Sequence, residues 1–255
     1  MRISSVPVLA LALVVAGCTD RAPAPGSDSL DPAAQVIRDA IQVHGGDRFD
    51  RIQVEFDFRG DPFTVLYDRG RFRFERRRVD AEGRTVVDRI DNDGASRQVN
   101  GAPVQLTAGE RATLETQVNS VVYFAFLPYR LEDPAVRLRD LGDAELEDRP
   151  YRVIEVTFEQ EGGGRDFDDR FVYWVHRDDH TLDFLAYRFH VGEGGTRFRR
   201  AVNRREVGGI LVQDYENWTL DPEVDDVAAY GDAYAAGRLR LVSLVELENV
   251  RVSTP

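Results

Sequence analysis

Lysine is absent from this chain: all 33 basic residues are arginine. High genomic GC accounts for this, with adaptation to high salt as the alternative. Cysteine occurs once, at Cys18, which excludes an intrachain disulfide and any cysteine cluster for a metal. Positive charge is in deficit, with 45 carboxylates and a net charge of −12. The surface as a whole therefore offers no footprint for nucleic acid or anionic lipid. Several chemical signatures are missing as well: there is no Gly-x-Ser-x-Gly elbow, no P-loop and no Gly-x-Gly-x-x-Gly after a strand. The carboxylates allow many acid–base pairs, and nothing in their order singles one out. No repeat of roughly 20–50 residues is visible.

What is present begins at the N-terminus. Arg2 supplies a positive n-region and Pro7 to Ala16 an apolar core, the pattern of a secretory signal over residues 1–17. Val15-Ala16-Gly17-Cys18 resembles the bacterial lipobox, after which a signal peptidase cuts so that cysteine becomes the first residue. That resemblance implies a diacylglyceryl thioether and an N-acyl group such as palmitate on Cys18, and two or more chains anchor stably where one does not. Thr19 rather than aspartate follows the cysteine, which by the sorting rule of well-studied lipoproteins implies the outer membrane, on its periplasmic or cell-surface side. Residues 18–30, rich in Pro, Ser, Gly and Ala, read as a flexible tether. About 238 residues remain after cleavage, and no linker interrupts 31–255, so a single large domain is expected there.

Asp31-Pro32 announces a first helix, with Val36, Ile37, Ala40 and Ile41 as its stripe and Gly45-Gly46 as its stop. From Arg51 the period changes to two: Ile52, Val54, Phe56 and Phe58 alternate with polar residues. Strands follow over 63–68, 71–79 and 83–90, with Asn92-Asp93-Gly94 as a turn. The stretch 107–128 is the pivot of the chain. Thr107 and Glu110 have capping-box spacing, and Leu114, Val118, Val121, Val122 and Ala125 recur at helical intervals. From Val121 to Leu127 the helix is apolar all round, and Pro128 ends it. Seven apolar residues are far too few to span a bilayer, which needs about 20, so this end enters protein. A loop with Asp133-Pro134 and Leu141-Gly142 leads to more strands at 151–159, 170–176, 182–191, 196–206, 209–217 and 240–252. A late helix lies between Asp221-Pro222 and Gly237, with Gly231 an unexpected residue in its middle. The sum predicts a mainly β (α+β) fold: a strongly curved, antiparallel, half-open barrel of about eleven strands, with helix 107–127 as a lid across its open side.

The order of these elements is similar to that of the lipoprotein-carrier and receptor proteins of the LolA/LolB-like superfamily, and RFVYWVHRDDHTLDFLAYRF resembles its strand–turn–strand. More narrowly, HGG (44–46), NSVVYFAFLP (119–128), GGG-x-D (162–166), YW (173–174) and GGTRFRR-x-x-N-x-R (194–205) resemble an uncharacterised family of bacterial outer-membrane lipoproteins. The wider resemblance implies a half-barrel cavity and a non-catalytic carrier or receptor of a lipid-like molecule; the narrower one brings no activity.

No cofactor or metal site is expected. His176 and His180 are four apart but separated by a turn, not set on a helix as zinc ligands. His44 reads as a C-terminal cap of the first helix, and His190 as a strand-end imidazole. The Gly162–Asp169 loop invites a calcium reading but has no closing glutamate, so a solvated hairpin is favoured. On strand 196–206, Arg197, Arg199, Ala201, Asn203 and Arg205 share one face. Strand 182–191 is apolar on both faces, so it is covered on both sides. These placements predict an apolar trough between helix 119–127 and strands 182–206. Tyr123, Phe126, Tyr187 and Phe189 would form its walls, and Arg197, Arg199 and Asn203 its polar rim, suited to an amphiphile with an acidic or amide head. The competing account makes the aromatics ordinary core and pairs the arginines with Asp183, Asp214 or Glu216. Two other classes stay open: an envelope hydrolase using carboxylates the order does not reveal, and a structural protein with a filled core. A cavity of several hundred Å³ favours the carrier, converging perturbed carboxylates favour the enzyme, and a packed interior favours the structural role.

Overall fold

The structure is a computed structural model and describes residues 31–161, 169–190 and 194–255. Residues 1–30, Cys18 among them, and most of the Gly162–Asp169 loop lie outside this set. Helix α1 (Pro32–His44) starts as its sequence indicates: Asp31 Oδ1 accepts from Ala33 N at 3.0 Å, with Pro32 in the first turn. It ends at Gly45, whose φ of 139° and whose closeness to the Ile210 and Phe49 side chains both exclude a Cβ. A 3₁₀ turn then feeds a meander of β1 (Arg51–Phe58), β2 (Asp61–Asp68), β3 (Arg71–Val79), β4 (Thr85–Asp91), β5 (Gly94–Val99) and β6 (Ala102–Val104). Antiparallel pairing aligns Val54, Val65, Phe74, Ile90 and Ala95 in one row across this sheet. The row is the apolar face that alternation in each strand demands.

Helix α2 (Ala108–Ala125) carries the expected capping box: Thr107 Oγ1 accepts from Glu110 N, and Glu110 Oε2 accepts from Thr107 N at 2.8 Å. The chain continues into β7 (Val136–Leu146), β8 (Arg149–Phe158), β9 (Arg170–His176), β10 (Leu182–Phe189), β11 (Gly195–Val207) and β12 (Ile210–Thr219). After α3 (Tyr230–Ala235), β13 (Arg240–Val245) pairs with β12, whereas β14 (Glu248–Ser253) pairs with β1.

The architecture corrects the half-barrel expectation. The described residues form fourteen strands in two separate seven-stranded antiparallel sheets, ordered β14-β1-β2-β3-β4-β5-β6 and β13-β12-β11-β10-β9-β8-β7. Neither sheet is closed or curled into a barrel. The inserted helix explains this: α2 takes the chain from the edge strand β6 into the second meander, so no hydrogen-bonded ladder joins the two. Helix α2 is accordingly not a lid over an open barrel but a layer between two sheets. Leu114, Val118 and Val122 pack with the first sheet's row, while Tyr123 and Phe124 pack with Phe171, Tyr173 and Tyr187 of the second. That double contact is why its C-terminal half is apolar all round.

Three further differences have local causes. The stretch 136–146 is a strand, not a loop; Gly142, at φ 95° in a bulge opposite β8, breaks the alternation that would have marked it. The single strand expected at 240–252 is two, because Glu246 and Leu247 carry the chain from one sheet to the other. Helix α3 is short, and Gly231 within it is required: a Cβ there would lie 2.7 Å from the Trp174 ring. The second sheet is covered on both faces, as strand 182–191 required. Leu185 and Tyr187 face α1 and α2, while Phe184 and Ala186 face Tyr230 and Ala233.

Candidate functional site

Where α2 passes between the sheets it leaves a cavity of about 370 Å³. Phe58, Phe63, Val121, Phe124, Val245 and Leu247 supply most of its apolar wall. On α2, the lining residues Gln117, Ser120, Val121, Phe124 and Ala125 fall at i, i+3, i+4, i+7 and i+8, a single helical face. Exposure falls along the cavity. Arg59 and Gln117 are open to solvent and mark the mouth, with Arg76 beside them held by Asp88 at 2.7 Å and by Gln117 Oε1 at 3.1 Å. At the inner end stand Arg199, Gln213 and Tyr215, 9 %, 4 % and 3 % exposed.

The inner end is polar but incompletely paired. Arg199 Nη2 donates to Tyr187 Oη at 2.9 Å, and the guanidinium carbon stands 4.0 Å from the centre of the Phe124 ring. Its Nε and Nη1 are buried with no hydrogen-bond partner among the described residues. The rings of Phe124, Tyr187 and Tyr215 partly offset the burial of this cation. Gln213 is fixed, with Oε1 accepting from Arg204 at 3.0 Å and Nε2 donating to Leu182 O at 2.9 Å and to Tyr215 Oη at 2.7 Å. Since Tyr215 Oη accepts there, its own proton is left to donate. Burial raises this phenol's pKa, so it keeps that proton.

The expected site residues disperse. Arg199 alone of the seven lines the cavity; Tyr187 stands behind it as its hydrogen-bond acceptor. Tyr123 points to the other side of α2, with its hydroxyl 3.0 Å from that of Tyr173, beside a smaller hollow of about 160 Å³. Phe126 is core, packed edge-on against Phe49 and Phe56. Phe189 lies under the Arg197 guanidinium, and Arg197 is tied to Glu223 at 3.1 Å. Asn203 sits in a β-bulge with φ 50° and donates to Asp214 at 3.2 Å, so the bulge breaks the expected arginine face after Ala201. The competing pairings therefore hold for Arg204 with Asp183, Arg205 with Asp214 and Arg200 with Glu216, but not for Arg199. Phe124, Gln213 and Tyr215 were missed. Phe124 was legible as the residue seven after Gln117 on one helical face, whereas nothing in β12 indicated that Gln213 and Tyr215 end a cavity.

The other candidates have structural roles. His44 does not cap α1: its Nε2 accepts from Leu182 N at 3.1 Å, pinning the helix to β10. His176 Nδ1 accepts from Asp179 N, which makes the His176–His180 segment the turn expected. His190 Nδ1 is 3.0 Å from Asp169. Among the described residues, no group of three or more His, Cys, Asp or Glu is placed to hold a metal ion. The buried carboxylates meet arginines. Burial alone would raise the pKa of Asp88, Glu155 and Asp183, but bonds and charges from Arg97 and Arg76, from Arg139 and Arg170, and from Arg204 outweigh it and keep each below the ordinary range.

Fold and site together define a two-sheet α+β protein with a helix-walled cavity that opens to solvent. The chain belongs to a family of unknown function, DUF6503, whose model matches residues 27–247. No curated protein matches it. It is similar to a LolA superfamily protein from Nitrosomonas europaea, at 11 % identity over 86 % of this chain and 92 % of that one, with a TM-score of 0.46. A DUF1329 family protein from Desulfovibrio piger aligns at 10 % identity over 87 % and 93 %, with a TM-score of 0.42. The lipoprotein LppX from Mycobacterium tuberculosis aligns at 16 % identity over 65 % and 91 %, with a TM-score of 0.29.

Proposed function

We propose that this protein is a non-catalytic carrier or receptor that holds an apolar or amphiphilic molecule between α2 and the two sheets. In this reading residues 31–255 are the binding domain, and acylated Cys18 anchors them to the outer membrane through the tether. The cavity carries the reading: about 370 Å³ with mostly apolar walls falls within the usual size of ligand sites, roughly 300–1,000 Å³. A structural protein with a filled core would not need that space. The arginine-bound, ionised carboxylates suit scaffold roles better than proton donation.

Titration with the neutral probe N-phenyl-1-naphthylamine tests the cavity. Saturable fluorescence enhancement is expected for the wild type and at least a tenfold weaker response for Ala125→Trp, whose indole would fill the space. The variant should melt within a few degrees of the wild type, since Ala125, although it packs against the first core cluster, also lines the cavity that the indole would enter. Equal binding by both proteins, or no saturable binding by the wild type, would overturn the reading. The anchor has its own test. Palmitate label and membrane association should both be lost in Cys18→Ser, and a variant still labelled and membrane-bound removes that part of the proposal.

A further inference from the structure

We infer that the ligand enters head-first and carries an oxyanion, received at the inner end of the cavity by Arg199 and Tyr215. The inference rests on the carrier reading above and names the ligand's chemical class and orientation. Every other arginine on β11 with a buried or half-buried head has a carboxylate partner: Arg197 has Glu223, Arg200 has Glu147, Arg204 has Asp183 and Arg205 has Asp214. Among the described residues Arg199 has none, although it is the most buried of the five. Of its five N–H donors one is used, toward Tyr187. A guanidinium left in this state inside protein costs free energy, and aromatic faces return only part of it. An oxyanion is the group that matches the unused donors in charge and geometry.

Tyr215 Oη adds a neutral donor whose direction is set by Gln213, which already occupies its acceptor side. Gln213 is itself saturated and contributes no further bond to the ligand. Among the described residues no carboxylate lines the inner end to repel the anion, and the one lining carboxylate, Asp61, lies on the first sheet next to exposed Arg59, at the mouth. Between mouth and inner end the wall is Phe63, Val121, Phe124, Ala125, Val245 and Leu247, which fits an alkyl chain. An acidic amphiphile with its head on Arg199 would therefore lay its tail toward Arg59 and Gln117. This inverts the sequence expectation of arginines at the rim.

Displacement of bound N-phenyl-1-naphthylamine by hexadecanoate, hexadecyl phosphate and hexadecanol at pH 7.5 tests this, with inorganic phosphate and acetate as tail-less controls. The wild type is expected to bind either acid at least tenfold more tightly than the alcohol and to ignore the controls at millimolar concentration. Arg199→Met should bring acids and alcohol to equal affinity, chiefly through loss of acid binding, with thermal stability unchanged or improved, because an unpaired buried cation is being removed. Tyr215→Phe should weaken the acids a few-fold and more than it weakens the alcohol. Equal binding of acid and alcohol by the wild type overturns the inference while sparing the carrier reading. So does an Arg199→Met variant that keeps the acid preference, or one that loses stability and all binding together, as a purely structural arginine would. Competition by inorganic phosphate alone would make this a small-anion site and overturn the head-first amphiphile. Failure of every probe to bind overturns both.

Discussion

Replacing Asp88 with alanine is expected to lower the unfolding free energy by about 3 kcal/mol, the lower end of what losing one partner of a buried ion pair costs. Asp88 is fully buried on the inward face of β4, between Val86 and Ile90. Its two oxygens hold Arg76 of β3 and Arg97 of β5, with Arg78 at 3.7 Å. Without the carboxylate, cations from two neighbouring strands lose the charge that allows them to lie against α2, where Arg76 also bonds Gln117. Asp88→Asn should cost nearly as much, because its amide presents donors to donors. Arg78→Met should cost less than about 1 kcal/mol, since that pair is long and the arginine 30 % exposed. Urea denaturation of the three variants checks the order. A loss under about 1 kcal/mol for Asp88→Ala would mean that the cluster relaxes into solvent.

Acid should destabilise the protein through His44 by about 2.5 kcal/mol between pH 7 and pH 4.5. Burial, reinforced by the charge of Arg204 and opposed by that of Asp183, lowers this imidazole from its ordinary 6.5 to about 3. The native state therefore holds His44 neutral while the unfolded chain takes up a proton. The stabilisation is complete above pH 6.5 and is lost progressively as pH falls toward about 3, with a slope approaching 1.4 kcal/mol per pH unit. Carboxylates titrate in the same range, so the informative quantity is the difference between wild type and His44→Gln, whose amide oxygen can still accept from Leu182 N. The variant is expected to be less stable at pH 7.5 and to close most of that gap by pH 4.5. Parallel pH profiles for the two proteins would show that His44 does not titrate as its burial requires.

How much was legible varied with how local each determinant is. Helix α1, the capping box of α2 and strands β1, β3 and β9 were recognisable because a cap or a period is written in adjacent residues. Strand β7 was not, because the bulge at Gly142 shifts its period midway. The pairing of β14 with β1 was not either, as it joins the two ends of the domain across nearly its whole length. At the site, the arginine-rich strand was visible, and so was the choice between carboxylate pairing and ligand binding. Which arginine took which course depended on neighbours supplied by β10, β12, the β7–β8 turn and the segment after β12.

By itself, then, the sequence determined the single cysteine after an apolar N-terminal stretch, the acidic and lysine-free composition, the helix stop at Gly45, and the double-sided apolarity of β10. Each follows from composition or from the conformational limits of a few neighbouring residues. Only the tertiary structure decided that two open sheets, and not one curled sheet, enclose α2, because ladder continuity depends on where strands from different meanders meet. It likewise turned Phe126 into core, Asn203 into a bulge and Arg199 into the one arginine of its strand without a carboxylate partner among the described residues. The strand's period offers the same alternating positions to all its arginines. Burial and the placement of distant carboxylates distinguish them.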